Sequence, residues 1–141
     1  MKRVIYNDLL QWKNQRNRKP LLLQGARQVG KTYILKEFGN NQYNDLAYFN
    51  FEEDIELASI FEKSLKALNL IESLELYRGK KINVDSTLIF FDEIQSAPRV
   101  ITSLKYFCEE TPEYHIVSTG SLLGVSVGKK SEFPVGNLWE R

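Results

Sequence analysis

Residues Gly25-Ala26-Arg27-Gln28-Val29-Gly30-Lys31-Thr32 set two glycines around four variable positions, and a lysine and a hydroxyl follow the second at once. The pattern G-x-x-x-x-G-K-[ST] is what a backbone needs in order to wrap a phosphate. Gly25 and Gly30 remove side chains where the chain turns sharply or touches oxygen. Successive N–H groups then point inward, and a helix starting near Lys31 offers its positive dipole end to the anion. Lys31 reaches the β- and γ-phosphates as a mobile point charge, and the Thr32 hydroxyl is offered to Mg²⁺. These residues therefore predict a nucleoside triphosphate, ATP with Mg²⁺, held by Gly25, Ala26, Arg27, Gln28, Val29, Gly30, Lys31 and Thr32.

Two further segments extend that chemistry. Leu88-Ile89-Phe90-Phe91-Asp92-Glu93 is an apolar run ending in two acids. Alone it marks little more than the end of a strand, but behind a phosphate loop it takes the form of a Walker B segment. Asp92, at the carboxyl edge of a parallel sheet, is expected to hold Mg²⁺ through water beside Thr32. Glu93 then lies near the γ-phosphate and polarises the attacking water, with Lys31 as its catalytic partner. Val117-Ser118-Thr119-Gly120-Ser121 is a strand followed by small polar residues. In a sheet whose fourth strand lies between the first and third, its end falls beside the γ-phosphate. Ser118, Thr119 and Ser121 are all candidates to orient the water; Ser121 is counted with the nucleotide-binding positions, and the sequence does not choose among the three.

Other chemically suggestive residues are read as structural. Glu52, Glu53 and Asp54 form an acidic strand-to-helix turn. His115 begins a strand and has no second ligand beside it. Arg27 occupies a variable position of the loop and is expected to point outward into a salt bridge. Lys13, Arg16, Arg18 and Lys19 read as a solvated helix end, and Cys108 as a packing residue on an apolar helix stripe.

The elements that must position the site follow from periodicity. Val4, Leu9, Leu10 and Trp12 suggest the apolar face of a first helix. Leu21-Leu22-Leu23 suits a short strand buried on both faces. A helix from Thr32 to Phe38 is expected to end at Gly39 as its C-cap. Ala47 to Phe51 reads as a second strand. Ile60, Phe61, Leu65, Leu68, Ile71 and Leu74 give helical spacing over two helices, the second closed by Arg78 and Gly79. Thr87 to Phe91 is a third strand, Pro98 opens a helix, and His115 to Ser118 is a fourth strand. Strands alternating with helices predict a mostly parallel α/β sheet with helices on both faces.

Composition sets the outer limits. The 141 residues carry 19 basic and 18 acidic side chains, a net charge of +1, which gives no argument for a nucleic-acid or membrane partner. No apolar run approaches the length of a membrane span. One cysteine permits no internal disulfide, which fits a cytoplasmic protein.

The wording "LLLQGARQVGKT", "YFNFE", "LIFFDEIQ" and "STGSLLG" resembles a group of bacterial and archaeal P-loop ATPases of the AAA-like kind, with an N-terminal AAA-type domain and an uncharacterised C-terminal domain. The resemblance covers roughly residues 1 to 135. It implies a P-loop NTPase fold of three layers, α/β/α, with strand order 1-4-3-2. It assigns Lys31, Thr32, Asp92 and Glu93 to nucleotide, Mg²⁺ and catalytic roles. Members of that group continue into a fifth strand, a helical lid and the C-terminal domain. The chain is therefore expected to be truncated, with residues 1–124 an incomplete ATPase core and 125–141 a loop or frayed tail. A fifth strand beside strand 1 has no evident source, leaving an open edge through which copies could associate, besides the oligomers of AAA-type proteins.

The function these features predict is Mg²⁺-dependent ATP hydrolysis coupled to a conformational change. The alternative is a nucleotide-gated switch that binds ATP with negligible turnover. A small-molecule kinase has little need for a Glu after the Walker B Asp. A GTPase is disfavoured because no N-K-x-D segment occurs and Asp92-Glu93-Ile94-Gln95 is not D-x-x-G.

Overall fold

A computed structural model describes residues 2–24, 29–121 and 136–137. Helix α1 (Lys2–Lys13) precedes strand β1 (Leu21–Gln24), and α2 (Val29–Gln42) leads into β2 (Asp45–Asn50). Helices α3 (Ile55–Lys63) and α4 (Ala67–Arg78) come before β3 (Thr87–Asp92). A 3₁₀ turn (Ile94–Ser96), helix α5 (Pro98–Glu110), β4 (His115–Gly120) and β5 (Gly136–Asn137) complete the described chain. All pairings are parallel, in the order β2-β3-β4-β1-β5. The first four strands thus have the expected order 1-4-3-2.

The strands are buried on both faces, so their alternation divides the core in two. Ile89 and Phe91 of β3 point to the layer of α3, α4 and α5, while Leu88 and Phe90 point to α1 and α2. Phe91 meets Phe49, Phe51, Phe61 and Phe107 within 5.6–6.0 Å, ring centre to ring centre. Each such fully buried phenyl contributes roughly 1.5–3 kcal/mol of transfer free energy. The C-terminal tip of β3, where Asp92 sits, is anchored by this cluster.

Several sequence expectations change. Gly39 does not end α2, which continues to Gln42. A Cβ at Gly39 would lie 2.7 Å from Leu46 Cδ1, so the glycine is there for close approach of α2 to β2. The buried face of α1 is Ile5, Leu9 and Trp12, whereas Val4 is exposed. Leu68 also faces outward. On α5 the buried stripe takes in Ser103, and Cys108 is only half-buried, its thiol pushed up in pKa by burial.

The fifth strand, for which the sequence offered no source, is present as β5. Gly136 and Asn137 pair in parallel with Leu21 and Leu22, so the edge of β1 is covered over those two residues. Glycine and asparagine are poor strand formers, so nothing local announced it. The remaining residues of 125–141 lie outside the described part. Gly79 does close α4 as expected, in the left-handed conformation at φ 71°.

Candidate functional site

The carboxyl ends of β3 and β4 and the first turn of α2 converge on Asp92. In a parallel sheet this edge faces the amino ends of the following helices. Asp92 is 2% exposed and lies on the α2 face of β3. Thr32, in the first turn of α2, donates from Oγ1 to Asp92 Oδ2 at 3.0 Å, with Oδ1 at 3.3 Å. Thr119, one residue beyond Phe91's register partner Ser118, projects to the same face as Asp92 and donates to Asp92 Oδ1. Tyr48 of β2 donates its phenol to Oδ2 at 2.5 Å. Both oxygens of one buried carboxylate are thereby engaged by hydroxyls from three elements.

Lys31 is 3% exposed although it stands in a helix's first turn. Burial lowers its pKa, and the carboxylates of Glu93 and Asp92 raise it in part. The amine is thus drawn inward, toward the acids at the end of β3. Gly30, one residue earlier, is exposed, and a Cβ placed there would meet no described atom within 4 Å.

Glu93 has φ 58° and ψ 49°, the single non-glycine residue with positive φ among those described. That conformation costs on the order of 1 kcal/mol and turns the chain sharply after Asp92. Two bonds hold it. The Glu93 N–H donates to Thr119 Oγ1 at 3.2 Å, and Gln95 Nε2 donates to Glu93 Oε1 at 2.7 Å. Gln95 Oε1 in turn accepts the Ser121 N–H at 3.0 Å. The carboxylate of Glu93 is therefore tied through one amide to the end of β4.

Lys31, Thr32, Asp92 and Glu93, far apart in sequence, are brought together. Of the three hydroxyl residues left open, Thr119 meets Asp92. Ser118 points to the opposite face, where its Oγ is buried without a hydrogen-bond partner. Ser121 follows β4, with its backbone N–H on Gln95. Gly25, Ala26, Arg27 and Gln28 lie outside the described residues, as does the side chain of Val29. Sequence reasoning missed Tyr48, Asn50 and Gln95. The signal for the first two was there: in β2, Tyr48 and Asn50 alternate onto the face of Asp92, Asn50 being its register partner. Gln95 had no signal, because only the turn at Glu93 aims it. Glu52, Glu53 and Asp54 form a turn into α3, as expected, capped by Asp54; His115 begins β4 and is buried against Tyr43.

A parallel α/β sheet with a lysine, a hydroxyl and paired acids gathered at its carboxyl edge defines the nucleotide-binding ATPase class. The chain belongs to the AAA domain family, whose profile matches residues 17–140. No curated protein sequence matches it. Among solved structures it is similar to PCH-2 of C. elegans, with a TM-score of 0.57 at 13% identity, over 97% of this chain and 42% of that one. At that identity the likeness is one of fold. Among the described residues no helix is long and apolar enough to cross a membrane.

Proposed function

We propose that this chain binds ATP with Mg²⁺ and hydrolyses it to ADP and phosphate. The observation that carries the reading is the meeting of Thr32 Oγ1 with Asp92 at 3.0 Å, beside a buried Lys31. A hydroxyl and a carboxylate at one spot form an all-oxygen donor set that suits Mg²⁺, which takes few protein ligands and completes its shell with phosphate oxygens and water. Thr32 and Asp92 would hold that ion. When bound, it would supply positive charge to offset that of the phosphates.

The chain's own residues supply the rest. The first turn of α2 directs N–H groups at the phosphates, and the bare Gly30 admits their oxygens. Lys31 stabilises the charge that accumulates on the γ-phosphoryl oxygens as the bond to the leaving oxygen breaks. Glu93 accepts the proton of the attacking water on its carboxylate. Its left-handed backbone turns the side chain away from the apolar path of β3.

The switch reading, ATP binding with negligible turnover, draws on one observation. Glu93 Oε1 accepts a hydrogen bond from Gln95, which holds the side chain toward the end of β4 and occupies a lone pair of the carboxylate. Calorimetric titration with ATPγS and Mg²⁺, wild type against Lys31→Ala and with GTPγS alongside, tests binding. Binding lost in Lys31→Ala and weak for GTPγS is the expected result; equal binding by both proteins would overturn the site. Multiple-turnover phosphate release then separates hydrolase from switch.

A further inference from the structure

Asp92 is oriented by a chain of hydrogen bonds that starts in the acidic turn after β2 and has only one direction. The N–H groups of Glu52 and Glu53 both donate to Asn50 Oδ1, at 2.9 and 3.0 Å. This fixes the Asn50 amide with its nitrogen outward, since two donors require an oxygen. Asn50 Nδ2 then donates to the Tyr48 oxygen at 3.1 Å. With that oxygen accepting, the phenol's single proton is directed to Asp92 Oδ2. The ring itself lies beneath the Lys36 ammonium, 4.1 Å from Nζ to its centre, and edge-on to Phe90. Both contacts limit how it can turn. On the other carboxylate oxygen Thr119 takes the equivalent place.

From this geometry we infer that Tyr48 is a positioning residue for Asp92: it pins one carboxylate oxygen so that the remaining lone pairs face Thr32 and the bound cation. The inference rests on the proposed nucleotide site and deepens it. Tyr48 and Thr119 each hold one oxygen from the sheet side. Thr32 straddles both at 3.0 and 3.3 Å, so Thr32 and Asp92 together would hold the cation. Neutral hydroxyl donors orient the acid without neutralising it, which a lysine or arginine in their place would do.

The test measures the gain in ATPγS affinity on adding Mg²⁺, as the ratio of calorimetric dissociation constants in EDTA and in Mg²⁺. Tyr48→Phe removes one oxygen and keeps the ring. The ratio is expected to fall about tenfold, the usual scale for loss of an outer-shell partner of a metal ligand, while affinity in EDTA stays at the wild-type value. Asn50→Ala keeps the phenol but frees its hydroxyl to rotate, and the ratio should fall in the same direction by less. Asp92→Asn separates the two levels of the argument. If Asp92→Asn abolishes the ratio and Tyr48→Phe leaves it at wild type, the positioning role is overturned and the site stands. If Asp92→Asn itself keeps the full ratio, the metal assignment fails and takes the role of Tyr48 with it. A fall in EDTA affinity equal to that in Mg²⁺ would make Tyr48 a packing residue, and that too overturns the inference.

Discussion

The two edges of the sheet bury polar groups to opposite ends. At the amino edge, Asp45 of β2 is met by Arg78, by Lys80 at 3.1 Å and by Thr87 Oγ1 at 3.3 Å. The Arg78 hydrogen bond, foremost among these, holds the Asp45 carboxyl below the usual carboxylate range. Arg78 also donates to the Lys81 carbonyl at 2.7 Å. Beside it Tyr43 OH and His115 Nδ1 lie 2.6 Å apart under Trp12. The Asp45 carboxylate there is met by two cations of the same chain. At the carboxyl edge, Asp92 collects three hydroxyls, Glu93 sits in a strained turn, and Lys31 is desolvated next to both acids. Groups that neutralise one another hold a fold together; groups that converge with strain and burial mark a candidate functional site.

The largest effect that would sharpen this contrast is catalytic. Glu93→Gln should lower turnover by about 10²–10⁴-fold, the range for a lost general base, with ATPγS affinity and melting temperature near wild type. Unchanged phosphate release would remove Glu93 from the chemistry. At the other edge the losses should be of stability. Arg78→Ala leaves the half-buried Asp45 with Lys80 and the Thr87 hydroxyl, and about 1–3 kcal/mol should disappear in urea unfolding. Nucleotide affinity should change by less than about twofold, since the site lies at the far end of the strands; a large loss of binding would break the division.

The amino edge should also titrate. Burial, with the positive charges of Arg18 and Lys13, lowers the His115 pKa from 6.5 to about 4. The unfolded chain therefore binds this proton more readily than the folded one. The contribution is complete above about pH 6.5 and is lost as pH falls toward 4, a change of up to about 3 kcal/mol. Stability curves that differ in this window between wild type and His115→Gln would show it; parallel curves would not. The smallest effect concerns Ser118, whose buried Oγ has no hydrogen-bond partner. Ser118→Ala should be neutral or stabilising by up to about 1 kcal/mol. A marked loss of stability would mean that the hydroxyl is satisfied in the folded protein.

Much of this was legible in the sequence because the signals are local. Pro98 opens α5 and Gly79 closes α4, as their backbone preferences require. Leu88 to Phe91 is too apolar to lie anywhere but inside, and the acids that follow it must fall at the strand's end. The failures have one cause in common. Gly39 reads as a helix stop in isolation, yet it is set by the approach of Leu46 from another element. Gly136 and Asn137 have no propensity for a strand and become one through the free edge of β1.

The sequence by itself supplied the residue types of a nucleotide site: a glycine-spaced lysine and hydroxyl, two acids at a strand end, and an alternation that argues for a mostly parallel sheet. It did not choose among Ser118, Thr119 and Ser121 at the end of β4 and said nothing of Tyr48, Asn50 or Gln95. Only the tertiary structure separated them. Which face of β4 meets Asp92 depends on the register of β4 against β3, and with that register Thr119 reaches the acid while Ser118 turns to the other layer. Spacing along a chain fixes which residue types are available; distances of 3 Å between strands are fixed by pairing that no single segment encodes.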